Sequence, residues 1–400
     1  ATQVQKERLD KAGFSQLRLT ESWTLEEGKG YYVIHNDSSI LAFRLGKDKQ
    51  AGFSIVGAHT DSPLLKLKPS PIMEAAGLVK LNIEVYGGPL LHTWFDRPLS
   101  LAGRVIVNGS PLKSLFVNID RDLLIIPSVA IHMRRDPKEE WNPQKELLPL
   151  FAQGPCQEED LLELLAEELK IKKEEILDYD LYCYPREKGT FLGKDDEFIS
   201  IGRLDNLGMC HAGLCALVES EATDKTQIMA NFDNEEVGSR TTQGANSGLL
   251  RNLLQKISLA QGLTQEEHLS RVYSSFMFSC DQAHAVHPNY EEKADPTNHP
   301  KMGDGPVIKL SASKSYATDG YGAALCKKLC KEHDIPYQTF VNRSDMRGGS
   351  TIGPISEGQT DIQGLDLGIA VLGMHSVREL QAAKDQKLFI DLLKAFLESK

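Results

Sequence analysis

The sequence predicts an α/β architecture with a mostly parallel central sheet, interrupted by an inserted β-rich domain. Three observations carry this reading. From Ile199 onward, apolar strand-like runs alternate with helical spacing, the grammar of βαβ units. The run 52–58 is almost continuously apolar, as expected for a strand covered on both faces. From about Pro71 to Phe198 the pattern changes to short alternating strands separated by turn signals. A chain of 400 residues also exceeds the usual single core. Two domains are therefore expected: 1–70 together with 199–400, and an insertion spanning 71–198.

Taken in order, helical spacing runs from Lys6 to Leu17, and strands follow at 31–35, 40–45 and 52–58. The last strand ends at His59-Thr60-Asp61-Ser62-Pro63. In the insertion, 79–86 and 101–107 alternate, and Gly87-Gly88-Pro89 and Asn108-Gly109 mark turns. Glu158 to Leu177 reads as a solvated helix of interleaved charge. Beyond Ile199, helices are expected at 206–218, 320–332 and 386–397, with strands at 228–232, 274–279, 307–310, 337–341 and 365–372. There is no internal repeat and no low-complexity linker.

Composition narrows the function classes. A hydrophobic share of 41% with 25% charged residues is that of a globular protein. A formal net charge of −11 argues against nucleic acid or an anionic membrane as the main partner. The most apolar stretches are too short to span a bilayer, and the first residues lack the apolar segment of a secretory signal. Seven scattered cysteines without CxxC spacing read as buried thiols in a reducing compartment, so the expected location is cytoplasmic.

The chemistry gathers at the downstream ends of the apolar strands, where open α/β sheets place their sites. The central stretch is Ile228 to Ser239, an apolar run ending in Asp233-Asn234-Glu235-Glu236. Adjacent residues in extended backbone point opposite ways, so one glutamate can bind a cation while the other faces the substrate as a base. His59 and Asp61 follow one strand, Asp281 another, and His375 a third. Asp205 precedes a helical pattern and, taken alone, reads as a helix N-cap. A single strand-end histidine is more often a packed or solvated residue than a ligand, but five segments with His or carboxylate at equivalent places are not easily dismissed. Imidazole with carboxylate and no thiolate suits Zn2+, Mn2+ or Co2+. Several carboxylates make a pair of ions plausible, and two close cations need an anionic bridge. Asp205, central in chain order, is the candidate for that bridge.

The segments Gly57-Ala58-His59-Thr60-Asp61-Ser62-Pro63, Arg203-Leu204-Asp205-Asn206-Leu207 and Asp233-Asn234-Glu235-Glu236-Val237-Gly238-Ser239 closely resemble those of the aspartyl aminopeptidase family. So do Ala283-His284-Ala285-Val286-His287-Pro288-Asn289-Tyr290 and Met374-His375-Ser376-Val377-Arg378-Glu379. The likeness runs almost end to end, including Thr93-Trp94-Phe95-Asp96-Arg97 and 126–132 of the insertion. It implies a zinc-exopeptidase α/β/α catalytic domain and an inserted dimerisation domain. It further implies two divalent ions per subunit, Zn2+ before Co2+ or Mn2+. His59 and Asp281 would hold one ion, Glu236 and His375 the other, and Asp205 would bridge them. Asp61 would orient His59, and Glu235 would be the general base.

The resemblance also implies peptide substrates with an N-terminal Asp or Glu, met by the cation of Lys309; the alternative for Lys309 is an ordinary solvated strand-end lysine. The stretch 344–353 looks more like the bacterial branch, some of whose relatives prefer neutral N-termini. Its glycines could supply backbone N–H groups to a carbonyl oxygen or simply form a turn into a helix. His132, in the insertion, would reach a neighbouring subunit's site within a dodecamer built from dimers. Competing readings are an aminopeptidase of broader specificity, another two-metal hydrolase such as a deacetylase or cyclase, and a catalytically silent assembly or cargo protein.

Overall fold

The computed structural model describes residues 1–133, 140–346 and 348–399. The chain forms two compact units. One comprises Ala1–Asp61, Thr190–Met374 and Glu379–Lys400; the other comprises Ser62–Gly189 with His375–Arg378.

The first unit is built on a nine-stranded sheet. Its spatial order is Ser15–Gln16, Gly30–His35, Ser39–Arg44, Thr226–Phe232, Phe53–His59, Phe276–Cys280, Gly364–Gly368, Val307–Lys309 and Gln338–Phe340. The four central strands, 226–232, 53–59, 276–280 and 364–368, are mutually parallel. Antiparallel pairing enters on both sides, where 39–44 meets 226–232 and 307–309 meets 364–368.

The continuous apolar runs have a direct cause. Val56, Ala58 and Met229 point into one core with helices Leu204–Glu219, Gly320–Glu332 and Ala383–Leu397. Ile55, Ile228, Ala230 and Phe232 point into the opposite core with Leu249–Ala260 and Ile352. Successive residues face opposite sides of a strand, and here both sides are covered, so every position is buried and most are apolar. A second, five-stranded sheet joins Thr190–Leu192, Phe198–Ile201, Glu379–Ala382, Ala370–Leu372 and Ala283–His284.

The second unit is a six-stranded antiparallel sheet in the order Lys113–Asn118, Leu99–Val107, Ile176–Pro185, Leu64–Ala75, Leu78–Tyr86 and Leu150–Gln153. The segment 375–378 is tied into it. Leu90 N–H donates to the His375 carbonyl at 3.0 Å, and Val377 is buried in the same core as Leu65, Trp94 and Leu181.

Several elements differ from the sequence reading for identifiable reasons. The first helix is Thr2–Lys11, ended by Gly13 at φ +81°. The helix from Glu158 stops at Leu169, followed by Lys170 in the left-handed region, and Ile176 already belongs to a strand. The run 365–372 divides into two strands in different sheets. Gly368 sits at the break, where a Cβ would lie 1.9 Å from the carbonyl oxygen of Asp281. Only glycine lets the chain pass Asp281 that closely.

Among the described residues, no helix is long and apolar enough to cross a membrane. All seven cysteines are buried and free of disulfides.

Candidate metal centre

The parallel register places Phe53 opposite Thr226 at one end of the two central strands and His59 opposite Phe232 at the other. At the His59 end the chain leaves both strands within a few residues of each other. His59 is 1% exposed. Its Nδ1 lies 3.2 Å from Asp61 Oδ1, and its Nε2 faces Asp205 Oδ1 at 3.4 Å and Asp281 Oδ2 at 3.7 Å. One ligand-type atom each from His59, Asp205 and Asp281 falls within 4.8 Å of the others, and the same holds for His59, Glu235 and Glu236.

Asp61 does a second thing. Its two carboxylate oxygens accept the backbone N–H groups of Glu235 and Glu236, each at 3.1 Å. One carboxylate thus joins the His59 ring to the glutamate-bearing turn. That turn corrects the extended-backbone expectation for the glutamate pair. The strand ends at Phe232, Asn234 takes a left-handed conformation at φ 62°, and Glu235–Val237 form a single 3-10 turn. The two side chains therefore both approach His59 rather than facing opposite ways.

Asp205 is buried, and its helix offers it no capping role. The helix assigned to Leu204–Glu219 has Arg203 at the N-cap without a side-chain cap, and Asp205 has non-helical φ −82° and ψ 105°. The Asp205–Asn206 peptide is cis. The Asp205 N–H donates to buried Glu379 Oε2 at 2.9 Å, and Asn206 Nδ2 donates to the Cys280 carbonyl at 2.8 Å. Gln282, beside Asp281, donates from Nε2 to the Leu204 carbonyl at 3.0 Å. The Asp205 and Asp281 segments are locked together by buried amide contacts.

Electrostatically the cluster carries excess negative charge. Burial pushes the Glu235 carboxyl up to about 7; His59 opposes this while Asp281, Asp61 and Asp205 add to it. Desolvation pulls the His59 imidazole down, but contacts with Asp205 and Asp61 outweigh it and hold the ring well above its usual value. One imidazole among buried and half-buried carboxylates, with no thiolate, is the donor chemistry of zinc and similar cations. A cation here would also satisfy carboxylates that otherwise face one another.

Lys309 is not a solvated strand-end lysine. It is 2% exposed. Its Nζ donates to the Asp281 carbonyl at 3.2 Å, Asp281 Oδ1 at 3.1 Å and the Gln282 carbonyl at 2.9 Å. Burial works against the ammonium, yet Asp281, Tyr316 and Asp366 hold its pKa above the ordinary lysine value.

His375 and His132 belong to the second unit. His375 has φ 68°, and its Nδ1 lies 2.9 Å from the Gly88 carbonyl. That contact assigns the ring proton to Nδ1 and makes Nε2 the acceptor nitrogen. His132 is exposed in a turn closed by Met133 N–H to the Ala130 carbonyl. Within the glycine-rich stretch, the helix Ile352–Thr360 follows directly, while Arg347 lies outside the described residues.

Sequence reasoning missed three buried polar residues behind the cluster: Glu379, Gln282 and Asp366, all at most 2% exposed. Asp366 had a legible signal, a lone carboxylate between Leu365 and Leu367 in an apolar strand. Glu379 and Gln282 had none, because each is defined by partners far along the chain.

A family model described as aminopeptidase I zinc metalloprotease (M18) matches residues 1–397. The chain belongs to the M18 family. It is a metallo-aminopeptidase, a hydrolase of the zinc metallopeptidase class. A probable M18 family aminopeptidase 2 from Clostridium novyi is 46% identical over 402 residues, covering 98% of this chain and 93% of that protein. The protein of the same name from Pseudomonas aeruginosa is 42% identical over 411 residues, covering 100% and 94%. Among solved structures, the mApe1 dodecamer of S. cerevisiae superposes with a TM-score of 0.86 at 28% identity, covering 99% of this chain and 92% of that one. These M18 relatives extend over essentially the whole of both units.

Proposed function

We propose that this M18 aminopeptidase removes the N-terminal residue of peptides with two divalent cations, zinc in the first instance. In this reading His59 and Asp281 hold one ion, Glu236 and His375 the other, and Asp205 bridges them. The single observation that carries it is the convergence of Asp205 with Asp281, and of Glu235 with Glu236, drawn from three segments, around the buried ring of His59 from a fourth. His375 joins them on the strength of the family resemblance and of its ring, whose Nε2 is left as acceptor by the Gly88 contact.

When bound, the cations supply Lewis acidity to the scissile carbonyl and a lowered pKa for the attacking water. The chain's own groups do the rest. Glu235, half-buried and with a pKa raised to about 7, accepts the water's proton and returns it to the leaving amine. Asp61 fixes the His59 ring by its contact with Nδ1 and holds the glutamate turn by two backbone N–H groups. The test is a metal assay alongside turnover: elemental analysis should find two ions per subunit, and one ion in a fully active enzyme would refute the pair.

For the N-terminal residue, the family resemblance favours Asp or Glu. One observation favours the broader alternative: the three hydrogen bonds of Lys309 Nζ go to Asp281 and Gln282, and its charge is already matched by Asp281. Amide substrates differing only in the first residue decide between them, since a preference of Asp over Leu sinks the broad reading.

A homo-oligomer, a dodecamer assembled from dimers, is proposed with the second unit as the dimerisation element. The support is the dodecameric relative and the exposed apolar side chains Phe116, Val129, Ile131 and Met133 on that unit. His132 lies among them and would complete a neighbour's site. A fully active monomer in sedimentation would remove that role. A cytoplasmic location is proposed from the seven buried thiols.

A further inference from the structure

Asp281 lies just past the end of strand Phe276–Cys280, its backbone N–H still donating to the Leu367 carbonyl at 3.0 Å. Its two carboxylate oxygens have different surroundings. Oδ2 faces His59 Nε2 at 3.7 Å, whereas Oδ1 accepts from Lys309 Nζ at 3.1 Å. The same ammonium takes the carbonyls of Asp281 and Gln282 at 3.2 and 2.9 Å. An ammonium has three protons, and here three acceptors from two consecutive residues surround it.

Lys309 is itself held on the other sides. It is the register partner of Asp366 in the adjacent antiparallel strand, an opposite-charge pair across the ladder. The Tyr316 ring centroid lies 4.9 Å from Nζ. Asp366, fully buried, accepts the Ala317 N–H and the Thr351 hydroxyl, each at 2.6 Å. The cation therefore has one position, with Ala317 and with Thr351, which precedes the helix Ile352–Thr360, anchored to the carboxylate opposite it.

We propose that Lys309 is a positioning residue for Asp281. Its ammonium captures Oδ1 and the two carbonyls so that Oδ2 remains aimed at the cation beside His59. This rests on the reading of Asp281 as a metal ligand. Its consequence separates it from a substrate-binding lysine: losing Lys309 weakens zinc retention and slows every substrate alike, whatever the N-terminal residue.

The experiment uses the full-length assembled enzyme and its Lys309→Met and Lys309→Arg variants. Zinc affinity is read by competition with a chromogenic chelator, and kcat and KM are measured on Asp- and Leu-amides at limiting and saturating zinc. The expected result is zinc binding weaker by roughly 10- to 100-fold, the usual loss when a ligand's supporting partner is removed. At limiting zinc, kcat falls by a similar factor on both substrates while KM changes little. Arginine does not restore binding, because its planar fork cannot meet three acceptors arranged around one ammonium. Unchanged zinc affinity with a KM rise confined to Asp-amides would overturn the proposal and make Lys309 a pocket cation. If the methionine variant fails to fold, the arginine variant is read by the same two criteria. Asp281→Asn separates the layers: if it leaves zinc affinity intact, the ligand reading itself fails, independently of Lys309.

Discussion

The two central strands carry a buried charged site at each end, and the two sites solve opposite problems. At the Thr226 and Phe53 end lies Arg271, 1% exposed and stacked over the Phe53 ring at 4.0 Å. Its donors reach the Ala51 carbonyl, Gln261 Oε1, Ser258 Oγ and Thr226 Oγ1. Every acceptor is neutral, and each nitrogen of the guanidinium finds a partner in the fold. At the His59 and Phe232 end, about 20 Å away for seven residues of strand, carboxylates gather around one imidazole. Arg271 needs nothing more; the carboxylate cluster calls for positive charge from outside the chain. Buried charge alone therefore does not mark function. The informative feature is whether the fold itself supplies the compensating partners.

The sharpest way to break this contrast is to withdraw the cation. Dialysis against a strong chelator should abolish peptidase activity, and added zinc should restore it. Retained activity in demonstrably metal-free protein would end the metal-centre reading. Next in size is Glu235→Gln, for which we expect turnover to fall by about 10²- to 10⁴-fold, the range of a lost general base. Metal content measured on the same sample should persist; if it disappears, Glu235 is a ligand instead. Asp61→Asn should have a smaller effect, roughly 10- to 100-fold in zinc affinity, because it weakens the support of the His59 ring and of the glutamate turn and removes no proposed ligand. A chelator titration that overlays the unmutated enzyme would dismiss that role.

Arg271→Met supplies the control from the other end. Loss of its hydrogen bonds should lower stability by about 1–3 kcal/mol. Turnover per folded molecule and zinc content should be unaltered, so a thermal melt shifts while kinetics do not. A loss of kcat in the folded variant would show that the two ends are coupled.

Much of the framework was legible in the residues. The parallel central strands announce themselves because both faces are covered, which removes the polar alternation of a half-exposed strand. His59, Asp205, Glu235, Glu236 and Asp281 are visible as strand-end or loop residues with ligand chemistry. Other features were hidden. The run Leu365 to Leu372 reads as one strand because nothing local reveals that Gly368 must pass the Asp281 carbonyl. Lys309 reads as solvated because a lysine near a strand end usually is, and its three acceptors lie 27 and 28 residues away in sequence. The glutamate pair reads as extended because the carboxylate of Asp61, which holds the turn, lies on another strand's exit.

By itself the sequence determined the α/β class, the chemical type of the candidate ligands and the family likeness. These depend on residue type, local periodicity and short motifs, all of which are encoded within a few neighbouring positions. Only the tertiary structure decided which oxygen of Asp281 faces His59, what Lys309 grips and why Arg271 is inert. Those outcomes depend on distances between groups from remote segments, and such distances exist only after the strands have been brought into register.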